Sequence, residues 1–120
     1  MAAITAASLL LAGCMGREGS ARAVEASLML DGQPVTAVTD YAKVHEGWMT
    51  WLTPDSGRLA GDDATRDSAI RLVESSMGPK VCRGKAMRRI SDPEAKGLGA
   101  PSAIYKSDGR WLILTQCVAG

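Results

Sequence analysis

The 120-residue chain carries 14 Lys plus Arg against 13 Asp plus Glu, which gives a formal net charge of +1. This balance excludes a general attraction to nucleic acid or acidic lipid, and the length limits the chain to one small domain. Phe is absent, so the large apolar side chains depend on three Trp and two Tyr.

An uncharged apolar run opens the chain and ends at Leu11-Ala12-Gly13-Cys14. The run is too short to span a bilayer, which takes about 20 apolar residues, but it is typical of the core of a secretory signal. Its last four residues resemble the lipobox of bacterial lipoproteins. The alternative is a buried N-terminal helix in which Cys14 is packed.

The lipobox resemblance implies a processing site and a location. It implies that Cys14 is acylated, that residues 1–13 are removed as a signal peptide, and that the protein is anchored in the bacterial envelope facing the periplasm. Met15 after the cysteine implies the outer rather than the inner membrane. Residues 14–22 are small and polar and predict a tether, and residues 23–120 then form a single domain.

The first predicted element of that domain is a β-hairpin. Val24, Ala26, Leu28 and Leu30 alternate with polar residues, which is the period of a half-buried strand. Asp31-Gly32 provides a turn, and Val35, Ala37 and Tyr41 alternate beyond it.

Residues 41–52 are ambiguous between helix and strand. Tyr41, Val44, Trp48 and Trp51 lie near helical spacing, yet Gly47 interrupts them and residues 48–53 favour a strand, which we prefer. On a strand the two Trp side chains point to opposite faces. One of them could then be exposed as a surface for a partner or glycan, the alternative being that both pack in the core.

A helix is predicted over residues 63–77. Asp62 or Asp63 can cap it, and Gly78-Pro79 is a typical stop signal. Its apolar stripe consists of Ala69, Ile70, Val73 and Met77.

A strand is expected after Pro79, with Cys82, Gly84 and Ala86 on one face and Arg83, Lys85, Met87 and Arg89 on the other. Arg83, Lys85 and Arg89 would then form a row suited to phosphate or carboxylate groups. In an envelope such groups belong to lipopolysaccharide, phospholipid or peptidoglycan. The alternative is a solvated strand face that protects an edge from aggregation.

Residues 91–101 predict a loop, and a second hairpin follows it, formed by 103–106 and 110–117 around Ser107-Asp108-Gly109. Residues 111–114 are apolar on both faces and predict a central strand. The order β-β-β-α-β-β-β indicates an α+β fold. We expect a small antiparallel sheet of about five or six strands with one helix on one face.

The three cysteines have two expected roles, lipid attachment for one and a disulfide for the other two. If Cys14 carries lipid, Cys82 and Cys117 remain as an even pair in an oxidising compartment, which predicts a disulfide that stabilises the fold by roughly 3–4 kcal/mol. A metal site is the rival interpretation. It lacks ligands, because the chain has one His and no Cys-x-x-Cys. We therefore expect neither metal nor cofactor.

No catalytic motif accompanies His45, the only imidazole of the chain. We expect a lipid-anchored, non-enzymatic binding or accessory domain. Its partners would be the membrane, through the lipid, and another envelope protein, peptidoglycan or lipopolysaccharide, but not nucleic acid. The alternative is an inhibitor of a cell-wall hydrolase or other envelope enzyme, which would act through loop 91–101.

Overall fold

The computed structural model describes residues 23–90 and 101–119. The predicted signal peptide 1–13, the tether 14–22 with Cys14, and residues 91–100 of the predicted loop lie outside the described residues. No helix in the described ranges combines the length and apolar character that a bilayer span requires.

The described chain folds into one curled antiparallel sheet and one α-helix, in the predicted order. The strands run in the spatial order β1-β2-β3-β6-β4, and β5 pairs with β6 beside β4. The bounds are β1 Val24–Leu30, β2 Gln33–Ala42, β3 Gly47–Pro54, α1 Asp63–Val81, β4 Ala86–Arg89, β5 Ala103–Tyr105 and β6 Trp111–Val118.

The first hairpin confirms the predicted alternation. β1 pairs with β2 from Val24 opposite Thr39 to Leu30 opposite Gln33, and Asp31-Gly32 closes the hairpin with both residues at positive φ. The even-numbered residues of β1 face the helix and the odd-numbered ones face solvent. The alternation of apolar and polar residues in the sequence therefore identifies the buried face of β1 correctly.

β3 confirms the preference for a strand over a helix in the ambiguous region. A single 3-10 turn over Lys43–His45 connects β2 to β3. β3 lies between β2 and β6, where its β-branched and aromatic residues are half-buried or buried. The hydroxyls of Thr39 and Thr50 hydrogen bond across β2 and β3 at 2.7 Å, so this buried polar pair is satisfied.

α1 begins as predicted but ends later. The Asp62 carboxylate accepts a hydrogen bond from the Thr65 backbone N–H at 2.8 Å, and the four predicted stripe residues are buried. The predicted end at Met77 is wrong, because α1 continues through Pro79 to Val81. Proline normally disfavours helical backbone in the residue before it by contact with that residue's Cβ, and Gly78 has none.

The predicted strand from Cys82 to Arg89 is also wrong in its first half. Cys82 caps the end of α1 by donating its backbone N–H to the Gly78 carbonyl at 2.8 Å, and Lys85 N–H bonds back to the Cys82 carbonyl. Residues 82–85 therefore turn, and β4 begins only at Ala86. Met87 is buried beneath α1 rather than sharing an exposed face with the cations, since it packs against Gly78.

The prediction that β6 is central is confirmed. β6 pairs with β3 along one side and with both β4 and β5 along the other. The helix contacts β1, β4 and β6, so the sheet curls around it and encloses one main core. The fully buried members of that core include Val35, Ala37, Leu52, Ala69, Val73, Met77 and Ile113.

Candidate functional site

A disulfide joins Cys82 to Cys117, as the sequence predicts, with a Cα–Cα distance of 5.3 Å. It connects the residue after α1 to β6, where Cys117 lies opposite Met87 of β4. Within the described ranges no three His, Cys, Asp or Glu side chains cluster to form a metal site. The Cys82–Cys117 disulfide holds the end of α1 against β6.

We call one end of the domain the entry end because the chain enters β1 there at Val24. Since neighbouring strands are antiparallel, β2 ends there and β3 begins there. The last turn of α1 lies at the same end, because Lys80 and Val81 line one groove together with Val24. The turns that follow β2 and α1 therefore lie close together. Their side chains come from segments that are far apart in sequence.

An open groove of about 340 Å³ lies at the entry end, between the last turn of α1 and the first three strands. Its lining residues are Val24, Tyr41, Trp48, Lys80, Val81 and Arg83. The volume lies at the lower end of the range that small-ligand pockets occupy. The groove therefore offers space for a small group, such as a sugar ring or a phosphate ester.

Two aromatic rings form one side of the groove. Tyr41 lies opposite Trp48 in the β2–β3 register, and the rings pack edge to face with centroids 5.7 Å apart. Tyr41 is 40% exposed, and Trp48 is partly buried. Trp51 points to the opposite face of β3, as predicted, where the Arg110 guanidinium lies 4.2 Å from its ring centroid.

Two cations form the other side. Lys80 lies in the last turn of α1 and Arg83 in the turn after it, and both side chains are exposed. In the described part of the chain, neither takes part in an ion pair. The partial negative charge of a helix C-terminus favours cations at this position. The groove therefore combines aromatic surface with positive charge that is free to meet an anionic ligand.

The predicted basic row is not formed as a strand face. Arg83 and Lys85 lie in the turn before β4, whereas Arg89 is on β4, with its backbone N–H bonded to the Glu74 carboxylate at 2.9 Å. Arg83 is thus the member of the predicted row that lines the groove. Lys80 precedes this row in the same basic run of the sequence, and it lines the groove because it lies in the last turn of α1.

Tyr41 was missed as a site residue, although the sequence holds a signal for it. In an antiparallel hairpin with a short turn, residues at equal distances from the turn lie opposite each other. Tyr41 and Trp48 stand at such positions on either side of residues 42–47. A hairpin assignment for this segment would have paired the two rings.

His45 lies in the 3-10 turn and is 9% exposed. Its Nε2 is 3.1 Å from the Thr115 carbonyl, and its own carbonyl accepts a hydrogen bond from Gln116 at 2.9 Å. Among the described residues Nδ1 has no hydrogen-bond partner. The imidazole thus bonds to main-chain oxygens and ties the turn to β6, with no carboxylate or hydroxyl bonded to it in the described ranges.

Comparison with known proteins adds no identity: no family model, no curated protein and no solved structure matches this chain.

Proposed function

We propose that this protein is a lipid-anchored component of the bacterial envelope whose domain binds an anionic ligand and catalyses no reaction. The observation that carries the proposal is the entry-end groove. There Lys80 and Arg83, which have no ion-pair partner among the described residues, face the rings of Tyr41 and Trp48.

The chemistry of the groove favours a ligand that has both a negative charge and an apolar or ring surface. The Arg83 guanidinium can donate two parallel hydrogen bonds to a phosphate or carboxylate, and Lys80 supplies a point charge. The exposed face of Tyr41 offers a surface on which a ring or chain can pack. No covalent step is needed for these residues to act.

Two further features support the envelope location and the non-enzymatic role. The Cys82–Cys117 disulfide is of a kind that persists in oxidising compartments such as the periplasm. The only histidine of the chain bonds to main-chain oxygens, away from the groove lining, instead of to an acid or nucleophile of a catalytic group.

Anchoring is tested by labelling cells with a clickable palmitate analogue. The wild-type protein should be labelled and should sediment with membranes, whereas Cys14→Ser should be unlabelled. A Cys82→Ser variant is the matched control, since it loses a different cysteine and should keep the label. Equal labelling of wild type and Cys14→Ser would refute the lipid anchor.

Ligand binding is tested by placing p-benzoylphenylalanine at Tyr41 and irradiating intact cells. An adduct that carries an anionic component by mass spectrometry should form there. It should be lost when Lys80 and Arg83 are both changed to Gln. The same amino acid at Met29, which is 57% exposed and outside the groove, is the control. No adduct, or an equal adduct at both positions, would refute the groove as a binding site.

A further inference from the structure

We infer that the entry-end groove binds phospholipid phosphate headgroups of the membrane that holds the anchor, so that this end of the domain rests on the bilayer. The inference rests on the proposed function and names the ligand of that site. It follows from three features of the entry end: its charge, its exposed apolar side chains and its distance from the anchor.

Among the described residues, charge is segregated between the two ends of the domain, although the whole chain is nearly neutral. Residues 40–48 and 80–85 at the entry end hold four cations and two anions, Asp40 and Glu46; the cations are Lys43, Lys80, Arg83 and Lys85. The turns at the opposite end, 31–34, 54–63 and 106–110, hold five aspartates and three cations. An anionic surface therefore attracts the entry end and repels the other.

Apolar and aromatic side chains project from the same end. Val44 lies in the 3-10 turn beside the groove and is 76% exposed, the most exposed large apolar side chain in the described part of the chain. Tyr41 and Trp48 belong to β2 and β3, the two strands that this turn connects, and their rings pack together at the same end. Tyr and Trp favour the interface between headgroups and acyl chains, where one part of the side chain is apolar and the other is hydrated.

The proposed anchor restricts which end of the domain can reach the membrane. Ten residue steps separate Cys14 from Val24, and a fully extended chain covers at most about 3.3–3.6 Å per residue. The entry end therefore stays within about 35 Å of the bilayer. Such a short connection holds the groove at a high effective concentration of headgroups, so weak contacts are sufficient to orient the domain.

Vesicle flotation tests the inference without relying on the anchor. The chain from residue 14 onwards, with Cys14→Ser and without the apolar run 1–13, is oxidised, purified and mixed with phosphatidylcholine vesicles that contain about one third phosphatidylglycerol, or with pure phosphatidylcholine. We expect binding to the anionic vesicles that is lost at high salt. Changing Lys80 and Arg83 together to Gln should lower the partition coefficient by about 30-fold, from the usual contribution of a cation near an anionic surface.

The matched control changes Arg66 and Arg71 to Gln, which removes the same charge from α1 away from the groove and should alter the coefficient by less than about threefold.

A nitroxide on Val44→Cys should become shielded from aqueous relaxation agents on the vesicles, while one on Met29→Cys stays accessible. Equal binding of both double variants, or no binding by the parent, would overturn the inference. Binding of inorganic phosphate by a parent protein that does not bind the vesicles would also overturn it, because it would show a site for a free anion. The palmitate and cross-linking experiments would still judge the proposed function separately.

Discussion

Replacing Cys82 with Ser should lower the free energy of unfolding by about 4 kcal/mol. The disulfide joins residues that are 35 apart in sequence. In the chain-entropy relation, a closed loop of this length restricts the unfolded state by that amount at 25 °C. Domains of this size have a total stability of about 5–15 kcal/mol. The bond therefore contributes a large share of the stability.

The corresponding change in melting temperature is large enough to measure without ambiguity. A loss of 1 kcal/mol lowers Tm by about 4–8 °C in a domain of this size, so the variant should melt about 15–30 °C below the wild type. Cys117→Ser should have a similar effect. The double variant should be no less stable than the single variants, because removing either sulfur already opens the loop.

Thermal unfolding followed by circular dichroism, on protein extracted from cell membranes with a mild detergent, measures these shifts. Cys14→Ser is the control for loss of a cysteine and should melt with the wild type. Intact-mass measurement after alkylation, with and without prior reduction, shows whether Cys82 and Cys117 are bonded. A Tm within about 5 °C of wild type would refute the magnitude derived from the loop length. Two freely alkylated thiols in the unreduced protein would refute the bond itself.

Three other substitutions test the packing and the helix cap. Gly47→Ala should destabilise the domain by about 1–3 kcal/mol in urea unfolding, because its Cβ would collide with the main-chain oxygen of Thr115 in β6; stability equal to wild type would contradict this close approach. Met77→Ala should cost about 2–5 kcal/mol in the same assay, since Met77 is fully buried in the main core, whereas exposed Ser75→Ala should change stability by less than about 0.5 kcal/mol. Asp62→Ala should lower Tm at neutral pH, because hydrogen bonds from the first turn of α1 hold the pKa of the Asp62 carboxyl below its ordinary value of 3.8. That stabilisation is present above the ordinary value and is lost as the pH falls through the lowered folded-state pKa; a Tm difference unchanged in acid would contradict the role of the charge.

The fold could be predicted from the sequence because the apolar residues of most elements recur with the spacing of a strand or of a helix. β1 alternates with period two up to a turn whose two residues tolerate positive φ, and α1 carries one apolar stripe after a capping aspartate. The run from Trp111 to Leu114, apolar on both faces, indicated a strand covered on two sides. Each of these patterns lies within the element that it predicts, and packing against the other described elements does not change that element.

The prediction failed where tertiary packing determines the local structure. Gly78-Pro79 is typical of a helix end, but the contact between Gly78 and Met87 holds α1 against β4 and the helix continues to Val81. The alternation from Cys82 onwards predicts a strand, but the disulfide and the backbone bond to Gly78 place Cys82 at the helix end. The sequence period alone does not distinguish these arrangements.

The candidate site was only partly predictable for a related reason. Arg83 was identified from the basic run, and Trp48 from its aromatic character. Their proximity depends on the antiparallel register that brings Tyr41 opposite Trp48 and on the helix end that adds Lys80. The spacing of residues along the chain does not show that these three segments lie close together in the fold. The assignment of a groove therefore required the structure.

The position of β6 has a consequence for the order in which the protein can fold. β6 follows the other five described strands in the chain, yet it lies among β3, β4 and β5 in the sheet. Until residues 111–118 have emerged during synthesis, the edge of β3 that β6 will join stays unpaired and β4 and β5 have no strand to join. Pairing over such sequence distances is slow, and unpaired edges are prone to aggregation. Cys117 lies in the same strand, so oxidation to the native disulfide also waits for this final segment. Completion of the sheet is thereby delayed until this last strand is available.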